Sequence, residues 1–175
     1  ASFTANTTLV SCPGGTDGSA TAVVTPATGT ITYQWSNGQN TATATGLSAG
    51  NYWCYASNTT GCSDTIYVTI AEVPAMILNP INVVDADCYT IANGQATIDV
   101  TQGTAPYSYT WNNSASLSAT ALDLGAGLHT CTVTDANGCV QTISLTINQP
   151  QPLDITFLTA DTMICSEANI DLSAI

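Results

Sequence analysis

The chain has 175 residues, 45% of them hydrophobic, and it carries 12 Asp and Glu residues but no Lys or Arg, for a formal net charge of −12. A surface without cations cannot neutralise phosphates and release their counterions, which excludes nucleic acids and anionic membrane surfaces as partners. The apolar content suffices for packed cores, and its richness in Val, Ile, Thr, Trp and Tyr predicts β-strands rather than disorder.

The cysteine content indicates the compartment. Seven cysteines show no soft-metal spacing, and they lie in a Thr-, Ser- and Asn-rich chain without lysine. That combination is typical of an oxidising, extracellular setting. No apolar run of about 18 residues is present, and no basic start precedes an apolar stretch, so we expect no membrane insertion and any signal peptide to have been removed.

An internal repeat organises the sequence. Its four most distinctive positions recur at offsets of 76, 76, 77 and 77: Cys12, Trp35, Cys54 and Cys62 as Cys88, Trp111, Cys131 and Cys139. A period of about 77 residues is the size of a small β-sandwich module.

The repeat predicts three segments. Module 1 covers residues 1–71 and is truncated at its start, because Ala1 aligns with Ile77 inside the first strand of the second copy. Module 2 covers residues 72–149, and residues 150–175 begin a third copy, with Cys165 falling 77 residues after Cys88. We expect a window on a longer array. The joins between modules, AEVPA and NQPQP, are too short to act as flexible tethers, so we expect a stiff rod.

The predicted strands alternate in the same way in both copies, which assigns their inward faces. In chain order, the inward sets are Ala20, Ala22 and Val24 with Ala96, Ile98 and Val100; then Ile31, Tyr33 and Trp35 with Tyr107, Tyr109 and Trp111; then Ile66, Val68 and Ile70 with Ile143, Leu145 and Ile147. Short strands, Asn-Gly turns and a Trp on a central strand predict an all-β fold of tandem immunoglobulin-like β-sandwich modules. No segment shows a helical period.

Four motifs carry a family resemblance: C-x5-G-x-A-T at Cys12–Thr21, Y-x-W at Tyr33–Trp35, L-x-A-G at Leu47–Gly50 and T-D-A-N-G-C at Thr134–Cys139. The chain resembles the SprB-type repeat of bacterial gliding adhesins and related giant cell-surface proteins, over both complete copies and the start of the third. The resemblance implies a secreted, surface-displayed, non-enzymatic module, stapled by a disulfide from its first Cys to the Cys of its final G-C. Carried onto this chain, it implies the pairs Cys12–Cys62 and Cys88–Cys139.

Cys54 and Cys131 depart from that pattern, and two interpretations stay open. Both lie on an inward position of the strand before the G-C turn, where a buried free thiol acts as a small hydrophobe. Alternatively, Cys12–Cys54 and Cys88–Cys131 would resemble the inter-sheet disulfide of immunoglobulin domains. Cys165 would find its partner in the remainder of the third copy or in another subunit.

The sequence predicts no enzyme. Nucleophilic catalysis needs a base beside the nucleophile, and the single histidine, His129, lies on an inward strand position that Tyr52 occupies in the other copy. Without Lys or Arg there is no Schiff base and no cationic clamp for an oxyanion.

Calcium is the one cofactor that the composition invites, because carboxylates and carbonyls are its ligands. Asp85, Asp87 and Asp135 are the candidates, on the hypothesis that they converge near a junction between modules. The alternative is that they are solvated surface carboxylates, in which case the chain holds no cofactor.

Two kinds of glycosylation signal are present. Asn6, Asn58 and Asn112 begin N-x-S/T sequons. Thr65 and Thr162 lie in D-T-apolar sequences that resemble a bacterial O-glycosylation signal. The alternative for each threonine is an ordinary strand residue.

One pair of side chains distinguishes the copies. Trp53 and Tyr55 are predicted to point outward, where module 2 has Thr130 and Thr132. Such a pair can bind a sugar or can be covered by a neighbouring module or subunit.

These patterns predict a structural and adhesive tandem-repeat segment of an extracellular bacterial stalk or filament. Its partners would be neighbouring repeats or identical subunits, with residues 150–175 either starting a module or donated as a strand to another subunit. The alternative is a secreted carbohydrate-binding module array that uses Trp53 and Tyr55. A third class is a secreted hydrolase whose catalytic domain lies elsewhere.

Overall fold

The computed structural model describes residues 2–27 and 29–153, which form twelve strands. The strands of module 1 are β1 (Ser2–Thr8), β2 (Gly18–Thr25), β3 (Ile31–Trp35), β4 (Thr43–Leu47), β5 (Gly50–Asn58) and β6 (Ser63–Ile70). Those of module 2 are β7 (Ile77–Val84), β8 (Gly94–Thr101), β9 (Ser108–Trp111), β10 (Thr120–Leu124), β11 (Gly127–Thr134) and β12 (Val140–Ile147). Within these ranges no helix is long and apolar enough to cross a membrane.

Each module is a sandwich of two three-stranded antiparallel sheets. Module 1 has the sheets β1-β2-β4 and β3-β5-β6, and module 2 repeats them as β7-β8-β10 and β9-β11-β12. Consecutive strands change sheets between β2 and β3, between β3 and β4, and between β4 and β5. This crossing pattern is that of an immunoglobulin-like sandwich, so the predicted fold class is confirmed.

The cores lie where alternation placed them. Trp35 is 1% exposed and Trp111 is 3% exposed, and each indole Nε1 donates a hydrogen bond to a carbonyl of the following loop, Thr41 O at 2.9 Å and Ser118 O at 3.0 Å. Both indoles therefore pack fully while their one polar atom stays paired. The other predicted inward residues are buried or half-buried, whereas Val23 and Asp99 on the opposite face are exposed.

The strand registers give each module two ends. Ser2 pairs with Thr25 and Ile31 with Asn58, so the start of β1, the β2–β3 loop and the β5–β6 turn share what we call the proximal end. At the other, distal end lie the β1–β2 loop and the end of β6. The chain thus enters a module at its proximal end and leaves at its distal end, which places the distal end of module 1 against the proximal end of module 2.

Candidate functional site: the junction between the modules

The connecting segment is held against module 1 by its backbone. Val10 N donates to Ala71 O at 2.8 Å, and Val73 N donates to Val10 O at 3.3 Å. Gly14 N donates to the Glu72 carboxylate at 2.9 Å. These bonds order the first residues of the connection.

A disulfide crosses the junction. Cys12, in the β1–β2 loop of module 1, is bonded to Cys139, in the β11–β12 turn of module 2, with a Cα–Cα distance of 5.3 Å. Cys12 packs against the core of module 2, and Cys139 is 7% exposed. The bond therefore joins two modules rather than stapling one.

The predicted pairs Cys12–Cys62 and Cys88–Cys139 are consequently wrong. Cys12 lies at the distal end of module 1 and Cys62 at its proximal end, separated by the length of β5, roughly 30 Å for a nine-residue strand. A disulfide requires Cα atoms within about 7 Å. Cys88 and Cys139 are separated in the same way in module 2, and both Cys62 and Cys88 are exposed free thiols.

An Asp-based turn positions Cys139. The Asp135 carboxylate accepts hydrogen bonds from Asn137 N and Cys139 N, both at 2.9 Å, and from Thr104 N at 3.0 Å. Burial alone would raise the pKa of Asp135, but these backbone donors outweigh it and hold the pKa below its usual value. The turn is therefore best formed when Asp135 is ionised.

A second carboxylate orders the loop that carries Cys12. Asp17 accepts a short hydrogen bond from the Ser11 hydroxyl and another from Ser11 N at 3.1 Å. The Ser11 hydroxyl bond, followed by the backbone bond, lowers the pKa of Asp17. Because Ser11 directly precedes Cys12, these bonds help to fix the backbone on which the disulfide is mounted.

Cys54 and Cys131 are buried free thiols, each 0% exposed. The predicted inward position is confirmed, and the pairs Cys12–Cys54 and Cys88–Cys131 are not formed. Burial raises the pKa of both thiols, that of Cys131 to about 11. Both groups are therefore protonated, uncharged core side chains at neutral pH.

The three calcium candidates do not converge. Asp85 and Asp87 follow β7 at the distal end of module 2, whereas Asp135 lies at its proximal end. Asp85 accepts from Asn148 N at 2.8 Å and from its side chain, which lowers the pKa of Asp85. Among the described residues, no group of three or more His, Cys, Asp or Glu side chains could hold a metal ion.

His129 has a structural role. It is 4% exposed, and its Nε2 lies 2.8 Å from Gly125 O, while its Nδ1 has no partner in the described part of the chain. In module 1 the Tyr52 hydroxyl donates to Ser48 O at 3.1 Å. Two different side chains therefore tie the same strand to the same preceding carbonyl.

Module 1 exposes an aromatic patch, which we define as Trp53, Tyr55 and Tyr67. Trp53 and Tyr55 are each 39% exposed, as predicted, and Tyr67 is 78% exposed. Tyr67 pairs across the strands with Trp53 and was missed in the sequence. The signal was available, because its counterpart in module 2 is Ser144.

The glycosylation candidates are mostly accessible. Asn6, Thr65 and Asn112 are exposed, and Asn58 is half-buried. Asn58 Oδ1 accepts from Cys62 N at 2.9 Å, so this side chain already shapes the β5–β6 turn. Thr162 and Cys165 lie outside the described residues.

Comparison with known proteins finds a similarity in part of each copy. Residues 4–40 and 81–116 match the family model described as the SprB repeat. No curated protein matches the sequence.

Three solved structures illustrate what the fold is similar to. A C-terminal 282-residue fragment of intimin, in complex with the intimin-binding domain of its translocated receptor, is 11% identical with a TM-score of 0.43; the match covers 85% of this chain and 64% of the fragment. The I67–I69 fragment of the titin I-band is 21% identical with a TM-score of 0.30, covering 84% and 64%. An amphioxus IgVJ-C2 molecule is 14% identical with a TM-score of 0.34, covering 71% and 92%.

This chain thus spans about two thirds of the intimin and titin fragments. The two matched segments lie one in each copy found in the sequence, and each copy builds one six-stranded sandwich. Residues 4–40 and 81–116 are therefore similar to the SprB repeat, and each of these segments lies in one of the two immunoglobulin-like modules.

Proposed function

We propose that this chain is a structural, adhesive segment of an extracellular stalk or filament on a bacterial surface. The observation that carries the proposal is the junction, where a disulfide and a hydrogen-bonded connection hold successive modules end to end. Such a segment works by keeping its length and direction. Its partners are neighbouring repeats or identical subunits.

Small-angle scattering tests this function directly. The oxidised chain is expected to keep one inter-module arrangement, while the Cys12→Ser/Cys139→Ser variant samples a wider range and loses the sharp long-distance limit. The matched control is Cys62→Ser, which removes an exposed thiol away from this junction. Equal breadth for the oxidised chain and the double variant would contradict the stiff-segment proposal.

A second candidate function is carbohydrate binding by the aromatic patch. Trp53 and Tyr55 project from one sheet face beside Tyr67, and exposed aromatic rings can stack on the apolar faces of sugars. Binding on a glycan array that is lost in Trp53→Ala and kept in Leu128→Ala, a change at an exposed residue of module 2, would favour it. If the oxidised chain binds no glycan on the array, carbohydrate binding is contradicted and only the structural function remains.

A further inference from the structure

We propose that Cys62 and Cys88 are the two halves of a head-to-tail disulfide between copies of this chain, repeating the Cys12–Cys139 bond at the next junction. The proposal rests on the proposed function, since it names the partner that extends the stalk. Cys62 occupies the position of Cys139 in the repeat, and Cys88 occupies that of Cys12. The chain therefore has one free thiol at each of the two repeat positions that the Cys12–Cys139 bond joins.

The turn that carries Cys62 has the same hydrogen bonds as the turn that carries the bonded Cys139. Asn58 Oδ1 accepts from Thr60 N at 3.1 Å and from Cys62 N at 2.9 Å, as Asp135 Oδ1 does from Asn137 N and Cys139 N. Asn58 N also donates to Cys62 O at 2.9 Å, matching Asp135 N to Cys139 O at 3.0 Å. The turn thus has its bonding geometry before any partner arrives.

The loop that carries Cys88 has a backbone like that of the loop that carries the bonded Cys12. Ile91 N donates to Cys88 O at 3.3 Å, as Gly15 N does to Cys12 O at 2.9 Å. The residue two positions after each cysteine has a positive φ, 73° for Gly14 and 65° for Thr90. Thr90 N donates to the Gln149 side chain at 3.0 Å, which is the counterpart of the Gly14–Glu72 bond.

Hydrogen bonds from the residues before Cys88 also hold its loop in place. Asp87 N donates to Asn93 Oδ1 at 3.0 Å, where Ser11 N donates to Asp17 in module 1. Ala86 N donates to Asn148 O at 2.9 Å, matching Val10 N to Ala71 O. The loop that carries Cys88 therefore repeats the hydrogen bonds of the loop that carries Cys12.

Position makes the bond intermolecular. Cys62 is at the proximal end of module 1 and Cys88 is at the distal end of module 2, so the two thiols of one chain face away from each other. Beside Cys62 is a cavity of about 210 Å³ whose lining includes Phe3, Pro26 and Ile31. At the same end of module 2, Cys12 of module 1 lies beside Cys139 in a pocket that Met76 also lines. The proposal places the Cys88 loop of a second copy at this cavity.

The reaction is a thiol oxidation. The Cys62 and Cys88 S–H bonds break and one S–S bond forms, with loss of two protons and two electrons. A disulfide-containing oxidant accepts them by thiol–disulfide exchange and leaves as two thiols. An oxidising extracellular compartment supplies oxidants of that class.

Two single variants test the proposal in the 175-residue chain. Cys62→Ser keeps only the Cys88 half, and Cys88→Ser keeps only the Cys62 half; both carry Cys165→Ser, so that this seventh thiol takes no part. Each variant alone, and an equimolar mixture, is incubated with a glutathione redox buffer at 0.15 M salt or above, which screens repulsion between chains of net charge −12. Non-reducing electrophoresis and peptide mapping after pepsin digestion identify the products, since trypsin has no site in a chain without Lys or Arg.

The proposal expects the mixture to form disulfide-linked dimers containing the Cys62–Cys88 linkage, at least fivefold more abundant than dimers in either variant alone. Equal dimerisation of each variant alone, or no dimer in the mixture, overturns it. The Cys12–Cys139 linkage, mapped in the same samples, shows that the oxidation worked. Because scattering of the single chain does not depend on Cys62 or Cys88, failure here leaves the stiff-segment test unaffected.

Discussion

At the residue scale, the surroundings of the two buried thiols decide whether each is bonded or free. Cys54 and Cys131 lie opposite Trp35 and Trp111 on neighbouring strands, between the two sheets. Alternation in the sequence predicted their inward direction. It left open whether they were bonded, because bonding depends on where the first cysteine of each module lies.

The raised pKa of Cys131 predicts a loss of stability in alkali. The unfolded thiol ionises with a pKa near 9.0, and the folded one near 11, so its contribution is complete below about pH 9 and is lost as the pH rises toward 11. We expect the free energy of unfolding to fall by about 1 kcal/mol more between pH 8 and pH 10 in the natural chain than in Cys131→Ala. Urea unfolding at each pH measures it.

The comparison between the two chains uses the pH dependence and not the absolute stability, because alanine also leaves a small cavity. Parallel stability curves for the natural chain and Cys131→Ala would contradict a raised thiol pKa. Tyr109 is present in both chains, but its pKa is raised by burial first and then by Cys131 among its neighbours, so the difference between the two curves reports Cys131 together with its effect on Tyr109.

At the scale of the element, the same turn is built with different residues. Asn58 and Asp135 both cap the hairpin that ends in a cysteine, and Tyr52 and His129 both tie the preceding strand to a carbonyl. The sequence showed the recurring turn but not these bonds. Their partners lie on the backbone, which carries no signature in the residue types.

Two substitutions of Asp135 distinguish the contribution of the turn hydrogen bonds from that of the carboxylate charge. Asp135→Asn keeps an oxygen for the two turn bonds, as in module 1, but cannot also accept from Thr104 N through its second polar atom. Asp135→Ala loses all three bonds. We expect the melting temperature to fall in both variants, by about 3 °C or more in Asp135→Ala, with Asp135→Asn between it and the natural chain.

The dependence of thermal stability on pH in the acid range tests the same carboxylate. Since the folded pKa of Asp135 is lowered, its contribution is present above the unfolded value of 3.8 and is lost as the pH falls through the lower, folded value. The thermal stability of the natural chain should therefore fall more steeply below about pH 4 than that of Asp135→Asn. Identical acid limbs in the two proteins would show that the carboxylate is not stabilised by the turn.

At the scale of the whole molecule, the Cys12–Cys139 bond changes how load passes through the chain. The two cysteines are 127 residues apart, and the segment between them contains β2 to β6 of module 1 and β7 to β11 of module 2. A force applied to the chain ends passes through the disulfide. Ten of the twelve described strands are therefore shielded from end-to-end tension.

Single-molecule pulling measures this shielding. With the disulfide intact, the segment between the cysteines should add no contour length at any force below bond rupture. Addition of dithiothreitol should release a hidden contour length of about 440 Å, from 127 residues at roughly 3.5 Å each. Cys12→Ser, the control, should release it without reductant; release by the oxidised natural chain would contradict the bond.

Sequence alone determined the repeat, the strand faces, the inward direction of Cys54 and Cys131, and the outward direction of Trp53 and Tyr55. Each of these follows from the alternation of inward and outward residues along a strand, which can be assigned because it must hold in both copies. Only the tertiary structure decided which cysteines meet. Cys12 and Cys62 belong to one module, but β5 holds them at opposite ends, whereas the junction brings Cys139 within bonding distance of Cys12 across 127 residues of chain.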